Sequence, residues 1–162
     1  GFPYPGGVHI DRAAKQGDAK LYKLPRPATK NPYDFSFSGL KTAVINLIHN
    51  NEQKGIKTDV NSLAACFQDT ITSILAEKFM AAANELGYTK LALAGGVAAN
   101  SMLRDKLSEM ANASGKQFYM PDISLCGDNA AMIGCQAYYE YLAGNIADMS
   151  LNAYATKKLH ML

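Results

Sequence analysis

The sequence predicts an α/β fold, rich in helix, around a small parallel sheet. Three observations carry this. The stretch K-L-A-L-A-G-G-V-A-A-N-S-M-L-R at 90–104 reads as a short buried strand, a Gly-Gly turn and the opening of a helix. A second short apolar strand at 117–120 follows that helix, and strand-helix-strand order makes the two strands parallel neighbours through a right-handed crossover. Finally, Leu63, Phe67, Ile71, Ile74, Leu75, Phe79, Ala82 and Leu86 recur at three- and four-residue spacing, which predicts one long core helix. In such a sheet, ligands bind at the carboxyl ends of the strands. Gly95 and Gly96 leave that edge without Cβ atoms, so the backbone can approach a ligand closely and the next helix can offer free N–H groups. A tight turn with no ligand is the alternative.

The 162 residues fit one domain or one large piece of a bigger one, and a 48% hydrophobic content is globular. The net charge of +2, with both signs interspersed, gives no global field that argues for nucleic acid. Cys66, Cys126 and Cys135 form no C-x-x-C pair, which points to a reducing compartment, the cytoplasm. No stretch has membrane-helix length and no signal-peptide pattern opens the chain, so no membrane partner is expected. The start at Gly1-Phe2-Pro3, without Met, suggests a processed product or an excised fragment.

In chain order, G-F-P-Y-P-G-G at 1–7 is too rich in Pro and Gly to form an element and ends in a Gly-Gly turn. A short helix follows, with Asp11 one turn in, where it either accepts hydrogen bonds from sugar hydroxyls or supports the helix start. His9 reads as a packing or surface residue. Residues 20–27 read as an edge strand closed by Pro25 and Pro27. Its Lys20, Lys23, Arg26 and the nearby Lys30 either meet a polyanion such as RNA or protect a solvated edge. The alternation Y-D-F-S-F-S at 33–38 predicts a half-buried strand, giving a short β-hairpin. Ser38 can N-cap the next helix, which should end near Asn50-Asn51, and Thr58 or Asp59 can cap the long one, which stops at Gly87. After 117–120, Gly127-Asp128-Asn129 precedes an Ala/Met/Ile-rich helix ending at Gly144. Asp128 at its entrance either caps that helix or reaches a divalent metal. The organisation is therefore an N-terminal loop, short helix, strands and helix (1–57), a long helix with the Gly-Gly βαβα part (58–148), and a tail (149–162) expected to be little ordered. No P-loop, nucleophile elbow, zincin helix or Cys/His metal cluster is present.

Four segments carry a resemblance: P-Y-P-G-G-V-H-I-D at 3–11, F-S-F-S-G-L-K-T-A at 35–43, L-A-G-G-V-A-A-N-S-M-L-R at 93–104 and G-D-N-A-A-M-I-G at 127–134. In this order and spacing they resemble the TsaD family of tRNA threonylcarbamoyladenosine biosynthesis, formerly labelled Gcp or O-sialoglycoprotein endopeptidase. The resemblance implies an actin-like ATPase (ASKHA, ribonuclease H-like) fold, here as an incomplete lobe. It also implies transfer of a threonylcarbamoyl group from threonylcarbamoyl-AMP to N6 of adenosine 37 in tRNAs that read codons starting with A. On the family pattern Gly7, Asp11 and Asn100 match positions for the adenylate substrate or ATP, and Asp128 matches the aspartate ligand of an iron or zinc ion. Such a metal would act as a Lewis acid on the carbamoyl carbonyl. TsaB and TsaE are the implied bacterial partners.

The family's H-x-x-x-H pair is missing, since no two of His9, His49 and His160 have that spacing, and so is its phosphate loop. The expectation is a C-terminal portion of such an enzyme, inactive alone, with an exposed sheet edge that favours a homodimer or swapping. Two other readings stay open: a non-catalytic nucleotide-binding or interaction module, and the old metal-dependent glycoprotease label, which no protease triad supports.

Overall fold

The structure is a computed structural model and describes residues 2–153. Its residues form two compact units, 1–127 and 128–162. In the first, helices α1 (Gly6–Ala14), α2 (Ser38–Gln53), α3 (Val60–Glu85) and α4 (Ser101–Ala113) accompany strands β1 (Lys90–Ala92) and β2 (Gln117–Tyr119). The second holds α5 (Ala130–Leu142).

Helix α3 is the spine, and its start is built as its sequence suggests. Asp59 is the N-cap, its Oδ1 accepting the N–H groups of Asn61 at 3.0 Å and Ser62 at 3.2 Å, two of the donors a helix start leaves unpaired. Three apolar clusters hang along it. Ala13 and Ala14 of α1 pack on Ala64 and Ala65. Leu24 and Leu40 pack beside Cys66. Further along, Ala76, Met80 and Ala83 meet Leu91 of β1 and Leu103, Leu107 and Ala111 of α4.

The buried face of α3 differs from the predicted stripe. Leu63 and Ile74 of that stripe are buried, but Phe67, Ile71, Leu75, Phe79 and Ala82 are half-buried and Leu86 is exposed, and the buried row at four-residue spacing is Ala64, Gln68, Thr72, Ala76 and Met80. Small side chains on the inner row let neighbouring helices come close, and the larger apolar groups flank the contact. Gly17, just past α1, shows how close. A Cβ there would overlap the backbone of Asn61 and Ser62 at the α3 entrance. The Asp18 N–H donates to Ser62 Oγ at 3.0 Å in the same place.

β1 and β2 are parallel, paired as Lys90 with Gln117, Leu91 with Phe118 and Ala92 with Tyr119, as the strand-helix-strand order requires. Leu91 is buried, but Lys90, Ala92, Gln117 and Tyr119 are exposed, so this short sheet is covered on one face.

Several expectations are corrected. α1 begins at Gly6, so Gly6-Gly7 is its first turn and not a turn before it; Pro5 is the N-cap, and the packing of Ala13 and Ala14 outweighs the poor helix propensity of glycine. The β-hairpin is absent: residues 23–29 and 34–37 have no regular secondary structure and no ladder partners. Pro25 and Pro27 remove two donors that a ladder would need. Side chains hold the first segment instead, with Leu24 buried, Cys66 Sγ donating to the Tyr22 carbonyl at 3.3 Å and the Asp59 N–H donating to Tyr22 Oη at 2.9 Å. Arg26 of the basic stretch pairs with Glu77 at 2.6 Å. Ser38 is the first residue of α2 and gives no side-chain cap. The tail expectation falls, from residue 154 on, outside the described residues.

In the second unit α5 is capped by Asn129, whose Oδ1 accepts the Met132 N–H at 2.9 Å, and none of its residues is buried. Among the described residues no helix is long and apolar enough to cross a membrane.

Gly17→Ala is expected to lower the urea midpoint clearly, because helix backbone must shift to admit the methyl group. Gly39→Ala, which meets nothing within 4 Å in α2, is expected to leave the midpoint unchanged or raise it. Equilibrium urea unfolding of both variants checks the pair.

Candidate functional site

The site residues are positioned by the turn after β1 and by the crossing of α1, α3 and α4. Gly95 leaves the strand with φ +89°, a backbone region that favours glycine, and no atom lies within 4 Å of where its Cβ would be. The chain then makes a 3-10 turn, Gly96–Ala99, before α4 begins, so the helix does not open directly from the glycine pair as expected. Asn100 is the cap between the two. Its Oδ1 accepts the Leu103 N–H at 2.9 Å, which commits the oxygen to the helix and leaves the Nδ2 donor as what the side chain can offer a ligand.

Gly7 and Asn100, 93 positions apart by their numbers (100 − 7), line one cavity of 140 Å³. Ile10, Phe67, Gln68, Ile71, Thr72, Leu75 and Val97 complete its wall. Gly95 and Gly96 do not line it; Val97, next in sequence, does. Asp11 does not line the cavity and borders it through Gln68, which does. Its Oδ1 accepts Gln68 Nε2 at 2.9 Å and the hydroxyl of Ser101, beside Asn100, at 2.9 Å. Its Oδ2 pairs with Lys15 at 3.1 Å, one turn along α1. Partial burial pushes this carboxyl upward, but the hydrogen bonds from Gln68, Ser101 and Lys15, with the Lys15 charge, outweigh it and hold it below its ordinary value. Asp11 is therefore an ionised acceptor. It is not in the first turn of α1, so support of the helix start does not explain it.

The cavity is a subsite by size. At 140 Å³ it is smaller than pockets that enclose whole small ligands, roughly 300–1,000 Å³. An apolar groove of 540 Å³ adjoins it through Ile71, Leu75 and Val97, walled by Tyr33, Phe35, Phe37 and Phe79. Phe35 and Phe37 stack with centroids 6.0 Å apart, and Lys78 Nζ lies 5.6 Å from the Phe35 centroid. A larger cavity of 570 Å³ between α1, α2 and α3 contains none of the candidate site residues Gly7, Asp11, Gly95, Gly96, Asn100 and Asp128. His9 stacks on Phe2 at 5.9 Å, a packing role.

Asp128 begins the second unit and is exposed. The helix cap predicted for it belongs to Asn129. Among the described residues no three His, Cys, Asp or Glu side chains are grouped to hold a metal ion, so Asp128 alone does not fit an iron or zinc site. Gln68, Thr72 and Ser101 were missed from the sequence. The signal that marks Gln68 is a polar residue in the four-spaced row Ala64, Thr72, Ala76 that the structure buries.

The first unit is thus an α/β unit in which a small, mainly apolar cavity carrying Gln68, Thr72 and Asn100 as its polar side chains adjoins a larger apolar groove. The family model for TsaD, tRNA N6-adenosine threonylcarbamoyltransferase, matches residues 1–135. Curated relatives bearing that name come from Clostridioides difficile (42% identical over 97% of this chain and 47% of the relative), Moorella thermoacetica (44% over 94% and 45%) and Staphylococcus epidermidis (46% over 93% and 44%). The chain belongs to this family, and it spans about half the length of the curated relatives it matches.

Because the folded-state Asp11 carboxyl lies below its unfolded value, its stabilising contribution is complete above the ordinary carboxylate range and is lost as pH falls through the folded value. The stability gap between the unsubstituted chain and Asp11→Asn should be widest at neutral pH, begin to narrow as pH enters the ordinary carboxylate range near about 4, and close only below the lowered folded value. Urea unfolding across that range measures it.

Proposed function

We propose that this chain supplies the nucleoside-holding part of a threonylcarbamoyl-transferring tRNA enzyme, within the actin-like lobe that the family resemblance implies. The observation that supports this is the meeting of Gly7 and Asn100 on one small cavity, with the Asp11 carboxylate bonded to its wall. Asp11 accepts up to about four hydrogen bonds as a carboxylate. Three come from Gln68, Ser101 and the exposed Lys15, which leaves room for a sugar hydroxyl. The Asn100 Nδ2 donates to an acceptor of the same ligand, and Gly7 lets it lie close to α1, since no atom would contact a Cβ there.

In the reaction so assigned, N6 of adenosine in tRNA attacks the carbamoyl carbon of threonylcarbamoyl-AMP, the bond to the adenylate phosphate breaks, AMP leaves and N6 loses a proton. These residues bind and orient the departing adenylate, a positioning contribution to the rate. Iron or zinc, TsaB, TsaE, tRNA, a cytoplasmic setting and self-association through the open sheet edges belong to the proposal for the whole enzyme. Asp128 would contribute one ligand to the metal and needs others that the described residues do not bring to it.

A second reading is a nucleotide-binding module without catalysis. The same cavity lined by Gly7, Gln68 and Asn100 would serve it.

Calorimetry with adenosine, ATP and a stable threonylcarbamoyl-adenylate analogue tests the binding. Asn100→Ser keeps a capping oxygen and removes the amide donor, so affinity should fall by about tenfold with the unfolding midpoint nearly unchanged. Unaltered affinity would remove Asn100 from the site. Modification of tRNA by the purified chain with TsaB and TsaE would reject the module reading.

A further inference from the structure

Gln68 holds the one buried side-chain polar atom without a partner among the described residues, its Oε1. The residue is 4% exposed and lines the cavity with Gly7 and Asn100. Its amide orientation is fixed by its neighbour: Asp11 Oδ1, an ionised oxygen, can only accept, so the group 2.9 Å from it must be Nε2. Oε1 is thereby held as an acceptor with nothing to accept from. An orphaned buried acceptor costs about 1–3 kcal/mol, and a donor brought by a ligand would recover that cost.

Thr72 Oγ, the other polar side chain lining the cavity from α3, donates to the Gln68 backbone carbonyl at 2.8 Å, not to Oε1. The donor must therefore come from outside.

We propose that Gln68 is a recognition residue of this site: Nε2 positions the Asp11 carboxylate while Oε1 accepts a hydrogen bond from one hydroxyl of a ribose ring seated in the 140 Å³ cavity. The inference rests on the nucleoside reading above and adds to it a selectivity for ribonucleosides. The wall is mainly apolar, formed by Ile10, Phe67, Ile71, Leu75 and Val97, and its few polar side chains match a sugar hydroxyl, which both donates and accepts: Gln68 brings an acceptor and Asn100 a donor, with the Asp11 carboxylate behind Gln68. At about 30 Å³ of liquid volume per water, the cavity holds four or five waters' worth of material, room for a sugar ring but not for a base as well. Reading a hydroxyl with a buried group also gives strong rejection of an analogue that lacks it, because the group is left unpaired again.

The test is calorimetry on the 162-residue chain with adenosine, 2′-deoxyadenosine and 3′-deoxyadenosine. The unsubstituted chain should prefer adenosine to at least one deoxynucleoside by about 10- to 100-fold. In Gln68→Met, similar in size but without the amide, that preference should fall to about twofold or less. The selectivity ratio is the readout because a purely structural role for Gln68 would weaken all three ligands alike. Equal binding of adenosine and both deoxynucleosides by the unsubstituted chain overturns the proposal with no variant needed. So does a full preference retained in a folded Gln68→Met. If none of the three nucleosides binds, the nucleoside reading fails and this inference fails with it, a result distinct from nonselective binding.

Discussion

The close approach of α1 to α3 is the constraint on which the rest of the site depends. Alanine faces alanine there, Ala13 and Ala14 against Ala64 and Ala65, and Gly17 passes the α3 backbone where no side chain would fit. Each contact is worth little, and together they set the separation of two helices. At that separation Asp11 reaches Gln68, and Ser101 at the head of α4 reaches Asp11. Bulkier residues on the inner row would hold α1 off, and the cavity would lose one wall.

The polar groups inside this packing are not equivalent. Asp11 is well supplied with donors, so its charge is stabilised and its position defined. Thr70 and Thr72 bond back to the carbonyls of Cys66 and Gln68 and so satisfy themselves within α3. Gln68 alone is served on one side and open on the other. A buried network completed at one end and open at the other is preorganised toward whatever completes it.

Legibility in the sequence followed range. The Asp59 cap and the helix stop at Gly87 rest on signals within a few residues, and the parallel pairing of β1 and β2 rests on the order of three consecutive elements; each has its counterpart in the structure. The failures are long-range. A hairpin was expected from alternation alone, which cannot report whether a partner strand exists. The α3 face was misjudged because hydrophobic periodicity gives weight to Phe67 and Phe79 and almost none to Ala64 and Ala76, which make the closer contact. Gln68 meets a carboxylate 57 residues away, and Ser101 meets the same carboxylate 90 residues away. No local pattern encodes either pairing.

Asn100 has two ends to its side chain: its oxygen starts α4, and in the site proposed above its nitrogen would serve the ligand. As a cap, Asn is hardly better than Asp or Ser, so helix formation by itself does not select it. Only the amide donor separates Asn from those substitutes. The position therefore works as a diagnostic for related chains. Drift to Asp or Ser would mark a lineage that kept the helix after giving up the ligand, whereas retention of Asn where the helix alone would accept three residues is the signature of a site still under selection.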